Sequence, residues 1–224
     1  MKIRLKYPTH RLSIDLIGFI RRIGLQEMIY KAPYPPTDKL IVIANGSPDN
    51  RVMLLLLHQV NGTDLVDMVF PEHKGLAIAQ YLHEYVKQGY KKILVVLDQE
   101  EHPINKLHEH FKRKILGLRN YNVSTDLENR LAIAEVSNHQ EAHAIIVISG
   151  VEDERFIKHT VEDHLLKLAE QLNIYNISNN VDPKEEWNKL DKNTQLKIFK
   201  AMHEHKDLAK EVFRQYIAGL KIIL

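Results

Sequence analysis

The segment Lys92-Ile-Leu-Val-Val-Leu-Asp98-Gln-Glu100 runs five consecutive apolar residues into two carboxylates spaced one residue apart. Side chains at i and i+2 of an extended segment point the same way, so Asp98 and Glu100 would face one spot. Two acids there repel each other, and no Lys or Arg lies between them in the chain. A divalent cation relieves that repulsion, because hard cations take oxygen ligands. An isolated Asp-x-Glu also reads as two solvated acids in a strand-to-helix loop. Lys74-Gly75 precedes a helical pattern, so its amides and ammonium could hold a phosphate. Other candidates are weaker. His108 and His110 do not share a helix face, and His139 and His143 are four apart but lack the His-Glu-x-x-His pattern of zinc sites. Lys87, Lys91, Lys92, Lys112, Arg113, Lys114 and Arg119 form a basic stretch that could track a nucleic-acid backbone, and equally a solvated helix face.

The elements that must position these residues follow from periodicity. Ile93–Leu97 is a run of the kind buried on both faces of a parallel sheet. Lys39-Leu-Ile-Val-Ile-Ala44 is a second, and Leu131–Val136 and Ala144–Ser149 are two more. Leu65–Phe70 predicts a short strand. Helices are predicted from about Asp49 to His58, Gly75 to Gln88, Pro103 to Leu116 and Thr160 to Leu172, with Gly89 and Gly117 as stops. Alternating strands and helices over 39–172 predict an α/β fold with a mostly parallel sheet and helices on both faces. Asp98 and Glu100 would then sit at the carboxyl end of a strand, where open α/β sheets place their ligands. Before this unit, residues 10–31 predict a helix. The segment Lys31-Ala-Pro-Tyr-Pro-Pro-Thr-Asp38 packs three prolines into four positions and reads as a linker. The domains are therefore a helical leader and Pro-rich linker (1–37), an α/β domain (38–175) and a helical tail packing on it (176–224). The apolar end, Ile222, Ile223 and Leu224, permits a homodimer.

Composition narrows the function classes. The 224 residues are 44% hydrophobic, enough for one sizeable core. There is no cysteine, which excludes disulfides, zinc-thiolate sites and a Cys nucleophile. That absence fits a reducing cytosol, and a cytoplasmic location is the expectation. The amino terminus lacks a signal-peptide apolar region, and no run is long enough to span a bilayer. A net charge of +2, from 31 basic and 29 acidic residues, is not the footprint of a protein held on nucleic acid by bulk charge.

One string places the acidic pair in a larger pattern. Ile41-Val-Ile-Ala-Asn45-Gly46-Ser-Pro-Asp49-Asn-Arg-Val-Met-Leu-Leu-Leu56-Leu57 is a buried strand, a Gly-bearing turn, an Asp and an apolar helix. It resembles the opening motif of Toprim domains, especially the small prokaryotic Toprim proteins related to the overcoming-lysogenization-defect nucleases. In that family a helix ending in a Gly turn follows, and then a strand delivers an Asp-x-Asp pair. Gly75 to Tyr90 and Asp98-Gln-Glu100 occupy those places. Val161-Glu162-Asp163-His-Leu-Leu166 is similar to the later helix-start acid. The resemblance covers roughly residues 39–172 and rests on order and spacing. It implies a Toprim-like fold and Mg²⁺- or Mn²⁺-dependent, nuclease-like phosphodiester chemistry on nucleic acid, DNA in particular. It further implies Asp98, Glu100, Glu162 and Asp49 as metal ligands. Two departures matter. The motif's Glu, the general acid/base or metal ligand, is Asn45, and Glu100 stands where Asp is commoner. Asn45 occupies the catalytic position beside Asp98 and Glu100, yet an amide cannot move a proton at neutral pH. Turnover would be weakened by that loss. The alternatives are a catalytically inactive Toprim-fold protein that binds nucleic acid or a protein, and an unrelated doubly wound protein that binds a nucleotide or small ligand at the same sheet edge.

Overall fold

The apolar runs become neighbouring strands of one sheet. A computed structural model describes residues 2–29, 36–60, 65–116, 121–126, 128, 130–136 and 142–224. Lys31 to Pro35 of the expected linker, Arg119 and His139 lie outside the described residues. Among the described residues the strands are β1 (Lys2–Leu5), β2 (Lys39–Ile43), β3 (Leu65–Val69), β4 (Lys92–Asp98), β5 (Tyr121–Asp126), β6 (Leu131–Val136) and β7 (Ala142–Ser149). Their order is β1-β3-β2-β4-β7-β6-β5. The four pairings from β1 to β7 are parallel, and β7/β6 and β6/β5 are antiparallel. The helices are α1 (Arg11–Ile23), α2 (Asp49–Gln59), α3 (Leu82–Lys87), α4 (Ile104–Leu116), α5 (Val161–Gln171), α6 (Pro183–Lys189), α7 (Lys192–Glu204), α8 (Lys206–Val212) and α9 (Arg214–Ile223). The molecule is thus α/β, with a mostly parallel sheet and helices on both faces.

Period-two alternation divides the core in two. Ile41, Ile43, Leu94, Val96, Ile145 and Val147 face one layer, which holds α1, α2, α5 and the tail helices. Leu40, Val42, Ile93, Val95, Leu97 and Ile146 face the other, with Ile78, Leu82, Leu107 and Phe111. Both faces of the middle strands are covered, which is why those strands are continuously apolar rather than alternating.

Several elements differ from the sequence expectation. The leader carries a strand as well as a helix: β1 pairs with β3 at the sheet edge. It is only four residues long, too short to show a period. β5 was also missed; Tyr-Asn-Val-Ser-Thr-Asp is polar because it is the far edge strand. The helix expected from Gly75 to Gln88 begins instead as a 3₁₀ helix over Gly75–Tyr81, and only Leu82–Lys87 is α-helical. The tail is four short helices, two of them capped by Asp182 and Asp191. It does pack on the sheet. A Cβ on Gly219 would lie 2.6 Å from Val147 Cγ2 and 2.9 Å from Leu94 Cδ1, so only glycine lets α9 lie this close to β4 and β7. Ile223 is fully buried while Ile222 is exposed, so the apolar terminus is largely used within the chain. No helix of the described residues is long and apolar enough to cross a membrane.

Candidate functional site

In an open α/β sheet, ligands bind outside the carboxyl ends of the strands where the strand order reverses. Here the chain leaves β2 through α2 to β3 on one side, then returns to place β4 on the other side. The crevice between the ends of β2 and β4 is that switch point. Ile43 pairs with Val96, so Asn45, two residues on, comes level with Asp98; Asp98 in turn pairs with Ser149 on β7. By the alternation above, Asn45, Asp98 and Ser149 share the parity of Ile43, Val96 and Val147. That is the face on which α2 and α5 begin, and these helices bring Asp49 and Glu162 in their first turns.

Asp49, Asp98 and Glu162 form the interior of the site. Their exposures are 2%, 5% for the Asp98 side chain, and 7%. Asp49 Oδ1, Asp98 Oδ1 and Glu162 Oε2 are buried without a hydrogen-bond partner among the described residues, as is Asn45 Nδ2. Burial pushes the Asp98 carboxyl up to about 7; Lys184 opposes this, while Glu162 and Glu100 add to it. Asp49 is raised well above the carboxylate range by burial, then by the charges of Asp98 and Glu162. Glu162 is raised, again chiefly by burial. Buried acids that raise one another in this way resist ionising together without a cation.

That cation is Lys184, which the sequence reading did not find. Its ammonium lies 3.2 Å from Asp98 Oδ2 and 2.5 Å from Glu100 Oε1. Burial pulls the Lys184 ammonium down, but Asp98 and Glu100 together raise it above its ordinary value. Two backbone bridges deliver it. Glu100 and His159 exchange antiparallel hydrogen bonds of 2.8 and 3.0 Å, and Phe156 bridges Val181, just ahead of α6. Asp182 Oδ1 caps α6 by accepting from the amides of Lys184 and Glu185. Asp182-Pro183 is a legible helix start, but nothing in the chain marks a contact with a residue more than eighty positions earlier.

Glu100 lies outside the strand geometry that carries Asp98. Its φ is +56°, so the extended backbone ends after Asp98, yet the two carboxylates still meet on one ammonium, that of Lys184. Asp98 points into the interior, and Glu100, 41% exposed, forms the outer wall with Lys184. The two acids after Thr160 also divide. Asp163 Oδ2 accepts from the amides of Val151 and Thr160, closing the loop ahead of α5, whereas Glu162 joins the cluster. The Thr160-x-x-Asp163 spacing is the sequence signal for that cap. Below the acids, Ser149 Oγ and the Tyr216 hydroxyl of α9 lie 2.5 Å apart, both fully buried. Tyr216 lies in the helical tail, where no local sequence signal marks this contact.

The remaining sequence candidates stand apart. Lys74 is exposed, and Gly75, at φ +57°, opens a 3₁₀ helix rather than the expected α-helix. Lys91 and Lys92 lie at the amino end of β4, roughly 20 Å from Asp98 at 3.3 Å per residue. These two lysines therefore do not border the acids. His108 is buried, and His143 faces Glu135 at 3.7 Å.

Among the described residues no three acidic or histidine side chains stand together at metal-holding distance. The donor types nevertheless suit Mg²⁺ or Mn²⁺: three orphaned, buried carboxylate oxygens of the kind hard cations take. A cation would reach them by displacing the Lys184 ammonium. Fold and site together define an α/β protein with an acid cluster at its topological switch point, neutralised from the tail. The chain matches no family model, no curated protein and no solved structure.

Proposed function

We propose that the cluster is a divalent-cation site for Toprim-like, nuclease-like phosphodiester chemistry on nucleic acid, with turnover weakened at Asn45. The observation that supports this reading is that Asp49, Asp98 and Glu162 each hold a buried, unpartnered oxygen and raise one another by charge repulsion. Asp98 and Glu162 would hold Mg²⁺ or Mn²⁺ with Asp49 behind them, and Glu100 would remain at the rim. Bound there, the cation would supply charge neutralisation at a phosphate oxygen. The chain's own residues do the rest. Burial of the three acids keeps water from competing for their oxygens. The Asp98 carboxyl, at about 7, can hold or release a proton at neutral pH when only Lys184 is present. Proton and cation are alternatives at these oxygens. Asn45 contributes an amide and cannot carry the proton that a Glu would.

A second reading follows from Lys184. Its ammonium already occupies the outer side of the cluster, which favours a Toprim-fold protein that binds nucleic acid or a protein without turnover. Supercoiled, linear and single-stranded DNA, and RNA, incubated under Mg²⁺ and Mn²⁺ separate the two. The first reading expects cleavage that Asp98→Ala abolishes and Asn45→Glu increases. It also expects Lys184→Met to strengthen calorimetric cation binding, since the competing charge is gone. No heat of cation binding in the wild type, Asn45→Glu and Lys184→Met alike ends the cation reading. Nucleic-acid binding without cleavage, falling steeply with salt, supports the second.

A further inference from the structure

A different cleft, on the helical layer, is built around one arginine. Phe19 of α1 and Phe199 of α7 meet edge to face, with centroids 5.1 Å apart and planes at 70°. Arg51 of α2 lies over both: its Cζ is 5.2 Å from the Phe19 centroid and 5.7 Å from that of Phe199. The three separations are nearly equal, so both rings lie on one side of the guanidinium and hold it there by cation–π contact, leaving the other side towards the cleft. Arg51 Nε is buried without a hydrogen-bond partner among the described residues. The cleft has a volume of about 300 Å³, and Arg22 and Lys192 stand at its rim. Asp15 is the one acid among the lining residues, so the lining carries two net positive charges. Asp49 and Arg51 are two residues apart on α2, about 200° around the helix at 100° per residue, so this cleft and the acid cluster lie on different sides of α2.

We propose that this cleft binds a phosphate group. A planar, half-buried guanidinium presents parallel donors matched to an oxyanion. Two further cations drawn from separate helices suit a multiply charged tetrahedral anion better than a single carboxylate, which one arginine already satisfies. The phosphate belongs either to a small phosphorylated compound or to a nucleic-acid backbone. The site does not depend on the acid cluster.

The test uses the full chain. Inorganic phosphate and pyrophosphate are titrated calorimetrically at constant ionic strength, with chloride as the control, and a single-stranded oligonucleotide is titrated in parallel. The wild type is expected to bind phosphate in the millimolar range or tighter. Arg51→Met should weaken binding by about tenfold or more, the scale of one charged hydrogen bond. Arg51→Lys, which keeps the charge but loses the fork, should fall between them. Arg22 and Lys192 are exposed, so the double variant Arg22→Ser, Lys192→Ser should weaken phosphate binding with an unchanged melting temperature, which guards against misfolding of the Arg51 variants. Asp98→Asn should leave phosphate binding intact. A parallel loss of oligonucleotide affinity assigns the phosphate to nucleic acid, and an unchanged oligonucleotide affinity assigns it to a small compound; either result upholds the site. Absence of phosphate binding in the wild type, equal displacement by chloride, or equal affinity in the wild type and the rim double variant overturns it, whatever the cleavage assays show.

Discussion

At the scale of single residues, the acid cluster makes a pH-dependent demand on stability. The Asp98 carboxyl titrates at about 7 when folded against 3.8 for an ordinary Asp. Between those values the folded chain binds more protons than the unfolded chain, so stability falls as pH rises through that window. Asp49 and Glu162 shift in the same direction and add to the slope. His164, lowered by burial, works against it. Asp98→Asn removes the Asp98 contribution without removing volume. Urea denaturation in the presence of a chelator, on either side of the window, should show the wild type losing on the order of a few kcal/mol towards alkaline pH and the variant losing less. Equal slopes in the two proteins would rule out Asp98 as the titrating group. The acidic pair itself was legible because an apolar run ended on it. The different burial of Asp98 and Glu100 was not, because Glu100 leaves the strand at a positive φ and stays 41% exposed.

At the scale of elements, α9 is placed by what it lacks. Gly219 lies against Val147 and Leu94 with no room for a Cβ. Gly219→Ala must push apart packed, fully buried side chains, and overpacking of this kind costs about 1–3 kcal/mol. Chemical denaturation should register that loss, although alanine ordinarily favours a helix interior over glycine. A neutral or stabilising result would mean that α9 does not approach β4 and β7 as described. The same helix carries Tyr216 to Ser149 beneath the acids, so the variant should also disturb the site. The middle strands were legible as elements because burial on both faces makes them continuously apolar. The short edge strands β1 and β5 were not, since four residues of one and a polar run in the other carry little period.

At the scale of the whole molecule, the tail and the sheet share one hydrophobic layer. Tail residues from Trp187 to Ile223 share a hydrophobic layer with β2, β4 and β7. The single tryptophan, Trp187, is buried against Phe199 in that tail. Its fluorescence reports the tail, whereas far-ultraviolet circular dichroism reports the whole chain. The two denaturation curves should coincide, the signature of two-state unfolding. A tryptophan transition at lower denaturant would show instead that the tail detaches first. Leader, α/β unit and tail were separable in sequence because a proline-rich segment and polarity changes punctuate the chain. Their interdependence was not, because contacts between distant segments leave no periodic trace.

The sequence by itself determined the class of fold and the location of the acids. Hydrophobic periodicity dictates which segments become strands and helices, and strand ends in a parallel sheet collect polar side chains at one edge. Only the tertiary structure decided what those acids meet. The mutual charge effects among Asp49, Asp98 and Glu162 depend on strand order, which local pattern does not encode. Neutralisation by Lys184 depends on a helix returning from the tail across two backbone bridges. The pair first read as two acids awaiting a cation already has one, supplied by the chain itself.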